Sequence, residues 1–310
     1  MGIASQNDRP YTLPPEYVSG RIGVVTVTYN SSSVLPEFIH SLEQQTHRDF
    51  LLYVVDNASH DDSFDQLERW GDPRLILISN QENLGVAAGN NQGIRAALDS
   101  GCEYVLLLNN DVVFGAELFQ QLQDGLAEYR CNMTTPLIYF CEPHDVIWCA
   151  GGYFQPRLAF RNLHYAENQR DVGQCNRARA VTYAPTCCVL VHREVFSRIG
   201  LMDERYFVYS DDTDFMLRAW RAGESLWYLP EAKLWHKVNS LTGTDSAFSM
   251  RYGARNRAFF IAKHVRGGYG ALFQWLYAGY YLLRFVLKKD TRAAYDIKRA
   301  AWAEGRRMVA

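Results

Sequence analysis

One carboxylate at the end of an apolar run, one acidic cluster and one histidine combine the residue types and spacing that catalysis needs. Asp111 follows Asn109 and Asn110 at the end of an apolar run, Tyr104-Val-Leu-Leu-Leu108. A carboxylate there is costly unless it is paired or holds a cation. One carboxylate, completed by phosphate oxygens and water, suits Mg²⁺ or Mn²⁺. The plainer alternative makes Asp111 the N-cap of a helix beginning near Gly115. The acidic cluster, Asp211-Asp212-Thr213-Asp214, reads as a loop and the first turn of a helix running through Ala222, where the helix dipole favours carboxylates. A two-residue spacing puts Asp212 and Asp214 on different faces, so they need different roles. The alternative is a solvated acidic helix start. His236 follows Leu234-Trp235 and gains a chemical role only by reaching Asp111.

The elements that must hold these residues alternate. Apolar, β-branched runs predict strands at 23–29, 50–55, 75–78 and 104–108, with helices at 34–45, 64–70 and 90–99 between them. Such alternation predicts an α/β fold with a parallel sheet covered on both faces. Ligands bind such sheets beyond the carboxyl ends of the strands. Asn30, Asp56, Asn83 and Asp111 all fall at or past strand ends and should converge on one rim. The second half is less regular, with strands expected at 146–153, 180–191 and 225–229, and a short helix at 193–198.

Bulk properties narrow the class. The chain has 310 residues, 48% hydrophobic and 21% charged, enough for one large domain or two modest ones and unlike a disordered tail or a disulfide scaffold. Its net charge of −2 does not suit a nucleic-acid binder, and no nucleic-acid partner is expected. The charge is unevenly spread. Residues 1–250 hold 19 Lys+Arg against 31 Asp+Glu, and residues 251–310 hold 13 against 3. A basic tail suggests an anionic partner. Within that tail, residues 270–287 have only Gln274 and Arg284 as strongly polar members, and Lys288-Lys289 follow. The run is short for a bilayer span, which needs about 20 apolar residues. An interfacial helix on an anionic leaflet, a core helix and a dimer contact remain open. Seven cysteines without a CxxC read as free thiols in a reducing compartment. No charged segment leads into an apolar run at the N-terminus, so no signal peptide is expected, and residues 1–20 read as a polar lead-in.

Taken together, Val-Thr-Val-Thr-Tyr-Asn (25–30), Val-Asp-Asn-Ala-Ser (55–59), Asn-Leu-Gly-Val-Ala-Ala-Gly-Asn-Asn-Gln-Gly (83–93) and Leu-Asn-Asn-Asp (108–111) resemble the family 2 inverting glycosyltransferases of the GT-A fold, in particular their rhamnosyltransferase-like branch. Gly-Leu-Met-Asp-Glu-Arg-Tyr-Phe (200–207), Ser-Asp-Asp-Thr-Asp-Phe (210–215) and Trp235-His236 continue the resemblance, which covers roughly residues 22–263. It implies a glycosyltransferase domain over 21–264 followed by a basic aromatic helical segment over 265–310.

The resemblance also implies roles. Asn109-Asn110-Asp111 stands at the DxD position, its first Asp replaced by Asn109. Asp111 would hold Mg²⁺ or Mn²⁺ against the donor diphosphate, and His236 matches a His that completes that site. Asp56, with Thr28, Tyr29, Asn30, Asn83, Gly85, Asn91, Asn109 and Asn110, would line the nucleotide-sugar pocket. Asp211-Asp212 stands at the Glu-Asp position, which makes Asp212 the expected base and Asp211 the second candidate. Apart from the resemblance, Arg251, Arg255 and Arg257 could equally steer a pyrophosphate-bearing acceptor or form a solvated helix face. The implied reaction moves a sugar, L-rhamnose from dTDP-rhamnose being one candidate, to a saccharide or polyprenyl-diphosphate-linked acceptor in surface polysaccharide synthesis. UDP- and GDP-linked donors stay open. The expected location is cytoplasmic, peripheral at the inner face of the membrane, with a homodimer as one assembly. A nucleotidyltransferase would carry a basic Gly-rich loop after the first strand, where this chain has Asn30-Ser-Ser-Ser-Val, and a dinucleotide dehydrogenase would carry GxGxxG there. A non-catalytic sugar-nucleotide-binding subunit is the remaining alternative.

Overall fold

The computed structural model describes residues 20–238 and 246–309. The expected lead-in lies outside the described residues except for Gly20. Strands β1 (Ile22–Thr28), β2 (Phe50–Asp56), β3 (Leu75–Ser79) and β4 (Tyr104–Leu108) run parallel in the order β3-β2-β1-β4. Helices α1 (Leu35–Glu43), α2 (Ser63–Trp70) and α3 (Val86–Asp99) make the crossovers. Both faces of this half are buried, and the strand period of two divides the side chains between them. Val25, Val105 and Leu107 enter one apolar cluster, while Val24, Leu106 and Leu108 enter the other. α3 lies close on β1, and a Cβ at Gly93 would run into Val25 Cγ1.

The remaining elements are β5 (Val112–Phe114), α4 (Leu118–Glu128), β6 (Met133–Phe140), β7 (Val146–Cys149), β8 (Gly152–Gln155), β9 (Arg161–His164), β10 (Gln169–Arg170), β11 (Arg179–Val181), β12 (Cys188–His192), α5 (Arg193–Ile199), α6 (Asp211–Arg221), β13 (Leu226–His236), α7 (Ala247–His264), α8 (Gly267–Val286) and α9 (Arg292–Arg307). The sheet continues from β4 through β12, β6, β7 and β10. β12 is antiparallel to both neighbours, and β13 runs parallel to β6 but antiparallel to β5 and β11. The sheet is therefore mixed: the expected parallel order holds in its first half, and β6 with β13 is a further parallel pair among antiparallel ones. β8 and β9 form a separate hairpin.

Four expectations change. The residues after Asp111 pair as β5 and α4 starts only at Leu118, so Asp111 is not a helix N-cap. The run 146–153 divides into β7 and β8 at Gly151, whose φ of +72° turns the chain. The run 180–191 divides into β11 and β12, and the intervening residues leave the ladder. Residues 226–236 form one strand, not a strand and a separate stretch. Its register slips between Leu229 and Lys233, around Pro230, which has no N–H to give.

α9 packs along α7, and Trp302 is buried between Ala258, Ile261 and the α8 rings of Tyr277 and Tyr281. Among the described residues no helix is long and apolar enough to cross a membrane.

Candidate active site

Parallel pairing brings the ends of β1, β2 and β4 to one edge. Thr28 stands opposite Asp56 in register. Asp56 is buried; its carboxylate accepts from Ser59 Oγ at 2.6 Å and Ser59 N at 3.1 Å. Ser59 Oγ accepts in turn from Asn30 N at 2.9 Å, and Asn30 Oδ1 accepts from His60 N at 2.8 Å. Asn30 has a φ of +51°, a conformation asparagine tolerates better than most residues. Asn83 Oδ1 accepts from Gly85 N, and Gly85 O accepts from Asn57 Nδ2. Gly85 has a φ of +86°, and a Cβ there would run into the Phe207 carbonyl oxygen. Asn110 Nδ2 donates to Val27 O at 3.2 Å. Thr28, Asn30, Asp56, Asn83, Gly85 and Asn110 thus share one rim, with Tyr29 exposed beside them.

The second part of the site comes from β13. Its pairing with β5 sets His236 opposite Val112, and Lys237 N donates to Asp111 O at 2.9 Å. His236 Nε2 consequently lies 3.1 Å from Asp111 Oδ1, with both side chains largely buried. The His236 ring meets Trp148 edge-on at 4.8 Å between centroids, and Trp148 meets His164 at 4.7 Å. His164 stacks on Tyr183 at 5.7 Å, and Tyr183 OH donates to Asp212 Oδ2 at 2.6 Å. A continuous wall of rings therefore joins Asp111 to Asp212. Burial, reinforced by the charge of Asp212, holds the Tyr183 phenol well above its ordinary pKa, so it remains a donor. Burial lowers the His164 pKa, which favours a neutral ring.

The acidic cluster divides as its spacing demands. Asp212 is half-buried; its Oδ1 accepts from Thr213 N at 2.6 Å and Thr213 Oγ1 at 3.1 Å. Asp214 is fully buried and accepts from Lys263 Nζ and His264 Nε2, each at 2.6 Å, and from Arg218 Nε at 2.8 Å. Burial alone would raise the Asp214 pKa, but these partners outweigh it and hold the carboxyl well below its ordinary range. Asp214→Ala leaves Lys263 and His264 without their shared acceptor and is expected to destabilise the fold by about 3 to 5 kcal/mol, read by urea unfolding at neutral pH. The stability that Asp214 supplies is present above the unfolded carboxylate pKa and is lost as pH falls below it.

Asp211 behaves oppositely. Burial first, then the charge of Asp212, pushes its pKa up to about 7. Between about 3.8 and about 7 the folded chain retains a proton that the unfolded chain has released, so stability falls as pH rises through that window. Asp211→Asn is expected to remove this slope and raise Tm at pH about 8 relative to wild type, checked by thermal unfolding across pH. The loop entering α6 is strained: Phe207, Tyr209 and Ser210 all have positive φ. Asn256 on α7 steadies it, with Nδ2 within 2.9 Å of the carbonyl oxygens of Tyr206, Val208 and Tyr209.

Some expected site residues have other work in this structure. The Asn91 amide is buried against the 202–204 segment, bonded to Met202 N, Met202 O and Glu204 Oε1. Arg255 donates to Arg205 O and Asn256 Oδ1, and Arg257 to the Leu158 and Ala159 carbonyls, so both hold backbone. Arg251 pairs with Glu304 at 3.4 Å. Asn109 N donates to Cys187 O, tying the end of β4 to the segment before β12. Trp148, His164 and Tyr183 were not expected. Their residue types are ordinary for a core, and only the pairing of distant strands brings them together.

The residues present can be tested against a divalent cation. Among the described residues no group of three or more His, Cys, Asp and Glu side chains could hold one. Asp111 and His236 offer one carboxylate and one imidazole, and His236 Nδ1 is buried without a hydrogen-bond partner. This does not fit an all-protein cage. It fits a hard cation that takes most of its ligands from phosphate oxygens and water.

Comparison with known proteins identifies the fold and the family. The chain is 28% identical to the N-acetylglucosaminyl-diphospho-decaprenol L-rhamnosyltransferase of Mycobacterium tuberculosis, covering 84% of this chain and 90% of that protein. It is 25% identical to the dTDP-rhamnosyl transferase RfbF of Shigella flexneri, covering 71% and 70%. Among solved structures it is similar to the mannosyltransferase PcManGT from Pyrobaculum calidifontis, in complex with GDP-Man and Mn²⁺, with a TM-score of 0.55 at 16% identity over 96% of this chain and 90% of that one. It is also similar to GalNAc-T7 with UDP, GalNAc and Mn²⁺, with a TM-score of 0.60 at 15% identity over 78% and 50%. The mixed sheet with its parallel half and flanking helices is the GT-A arrangement. Residues 23–200, more than half of the chain, match glycosyl transferase family 2; the chain belongs to that family and is a glycosyltransferase.

Proposed function

We propose that the chain transfers L-rhamnose from dTDP-rhamnose to a saccharide carried on a polyprenyl diphosphate, inverting the anomeric carbon, as a step of surface polysaccharide synthesis at the inner face of the membrane. The names of the two rhamnosyl-transferring relatives support the sugar and the lipid-linked acceptor. The observation that carries the chemistry is the ring wall joining the Asp111–His236 pair to Asp212. It supports reading one end of the site as anion-neutralising and the other as proton-accepting.

Asp111 and His236 would hold the cation, which, when bound, neutralises the negative charge that builds on the departing diphosphate. Asp56, Thr28, Tyr29, Asn30, Asn83 and Gly85 form the nucleotide side of the rim, with Asn109 and Asn110 at its junction with Asp111. Asp212 takes the proton of the acceptor hydroxyl as that oxygen attacks. Tyr183 and Thr213 fix the Asp212 carboxylate by donating to its two oxygens, so little reorganisation is left for the reaction. Attack opposite the leaving group inverts the centre in a single displacement, so no second nucleophilic carboxylate is required. On this reading residues 21–264 form the catalytic domain and 265–310 its membrane-side extension.

The test supplies purified protein with dTDP-L-rhamnose, an N-acetylglucosaminyl-diphospho-polyprenol and Mg²⁺ or Mn²⁺. The expected product gains one deoxyhexose whose anomeric configuration, read by NMR, is opposite to the donor's. Consumption of UDP- or GDP-sugars in its place overturns the donor, and a retained anomer overturns the mechanism.

A further inference from the structure

Helix α8 is largely apolar on both sides, and what amide and charge it has lie on the side turned to the protein. The side turned to the protein carries its polar groups: Gln274 Nε2 donates to Ala258 O at 2.9 Å, and Arg284 pairs with Asp290 at 2.8 Å. Tyr277 and Tyr281 pack against Trp302 on the same side. The side turned away carries no charge and no amide. Trp275 is 78% exposed, and Leu272, Leu276, Leu283, Val286 and Leu287 are each half exposed or more. A helix docked on a water-soluble domain turns its apolar stripe inward. An apolar strip along 20 residues of helix, about 30 Å, is too large to leave in water.

The ends of the strip indicate what covers it. Arg266 is exposed at one end and Lys288 and Lys289 at the other. If two copies paired along this helix, cationic ends would meet in either orientation, parallel or antiparallel. An anionic leaflet satisfies both features at once. It takes the Leu and Trp side chains to the depth of the acyl boundary and meets the bracketing cations with phosphate. The helix is not apolar enough to cross, which leaves it lying flat. We propose that α8 is a leaflet-docking helix that seats the enzyme on an anionic membrane surface.

The placement reaches the site. Tyr269 OH on α8 donates to Arg157 O at 2.5 Å, and Arg157 lies in the turn between β8 and β9. β9 ends at His164, part of the ring wall, so the wall stands one four-residue strand, about 13 Å, from the turn held by α8. Leaflet docking does not depend on the donor; in giving a lipid-linked acceptor its direction of approach it rests on the function proposed above.

The test pellets the full chain with vesicles of phosphatidylcholine alone or with about one-third phosphatidylglycerol. Wild type is expected to pellet with the anionic vesicles and to be released by salt. Trp275→Glu with Leu283→Glu, both at exposed positions, should lower partitioning at least about tenfold while thermal unfolding is unchanged. Lys288→Ser with Lys289→Ser should lower it about 25-fold on anionic vesicles only, about fivefold per charge. Unchanged partitioning of the apolar variant overturns the proposal. So does a lipid-free dimer that the same variant converts to monomer, which would make α8 a contact between copies. Vesicle binding is read without donor or acceptor, so its failure and a failure of rhamnosyl transfer are separate results.

Discussion

Asp212→Asn is expected to bind donor with wild-type affinity and to turn over about 10³-fold more slowly, within the 10²- to 10⁴-fold range that a positioned general base supplies. The substitution preserves size and leaves one oxygen to accept from Thr213 N, which now bonds Asp212 Oδ1 at 2.6 Å. Tyr183 OH, 2.6 Å from Oδ2, can rotate to accept from the new amide. Fold and pocket are therefore kept, and the proton acceptor alone is lost. The check is kcat at saturating donor and acceptor, with donor Kd measured by calorimetry. Turnover within about threefold of wild type would move the base to Asp211, whose pKa near 7 also suits that task.

Asp111→Asn is expected to abolish the Mn²⁺-dependent part of dTDP binding, a loss of about 100-fold, while leaving metal-free dTDP binding unchanged. A neutral amide cannot supply the charge that a hard cation asks of its single protein carboxylate. His236→Ala should have a smaller effect, about 10-fold, because the imidazole is the weaker ligand for such a cation. Titrating dTDP with and without Mn²⁺ separates metal binding from catalysis. Equal Mn²⁺ enhancement in both variants would place the cation elsewhere.

The parallel half of the sheet was legible because its strands are buried on both faces. The runs ending at Thr28, Asp56 and Leu108 are continuous apolar stretches that stop at polar residues, which marks both the strand and its rim. The division of labour between Asp212 and Asp214 was legible from helical geometry. The second half was less so. The strand break at Gly151 lies inside an apolar run, and β13 hides a register slip around Pro230, so local composition misplaces both. β5 has three residues and is defined by pairing with β13, over 100 positions away, so no local pattern announces it. The ring wall is of the same kind. Trp148, His164 and Tyr183 meet only through tertiary packing, and each alone looks like an ordinary core aromatic. Charge visible in sequence likewise does not reveal that Arg255 is buried and bonded to backbone.

On the proposed function, a cation held by Asp111 and His236 and a base at Asp212 flank one reacting sugar. Anomalous diffraction at the manganese edge, from crystals soaked with Mn²⁺ and a non-transferable dTDP-rhamnose analogue, addresses it directly. The expected map has a manganese peak bonded to Asp111, His236 and the diphosphate, with the Asp212 carboxylate facing the anomeric carbon from the opposite side. A peak away from Asp111, or a sugar whose anomeric carbon faces another carboxylate, would contradict it.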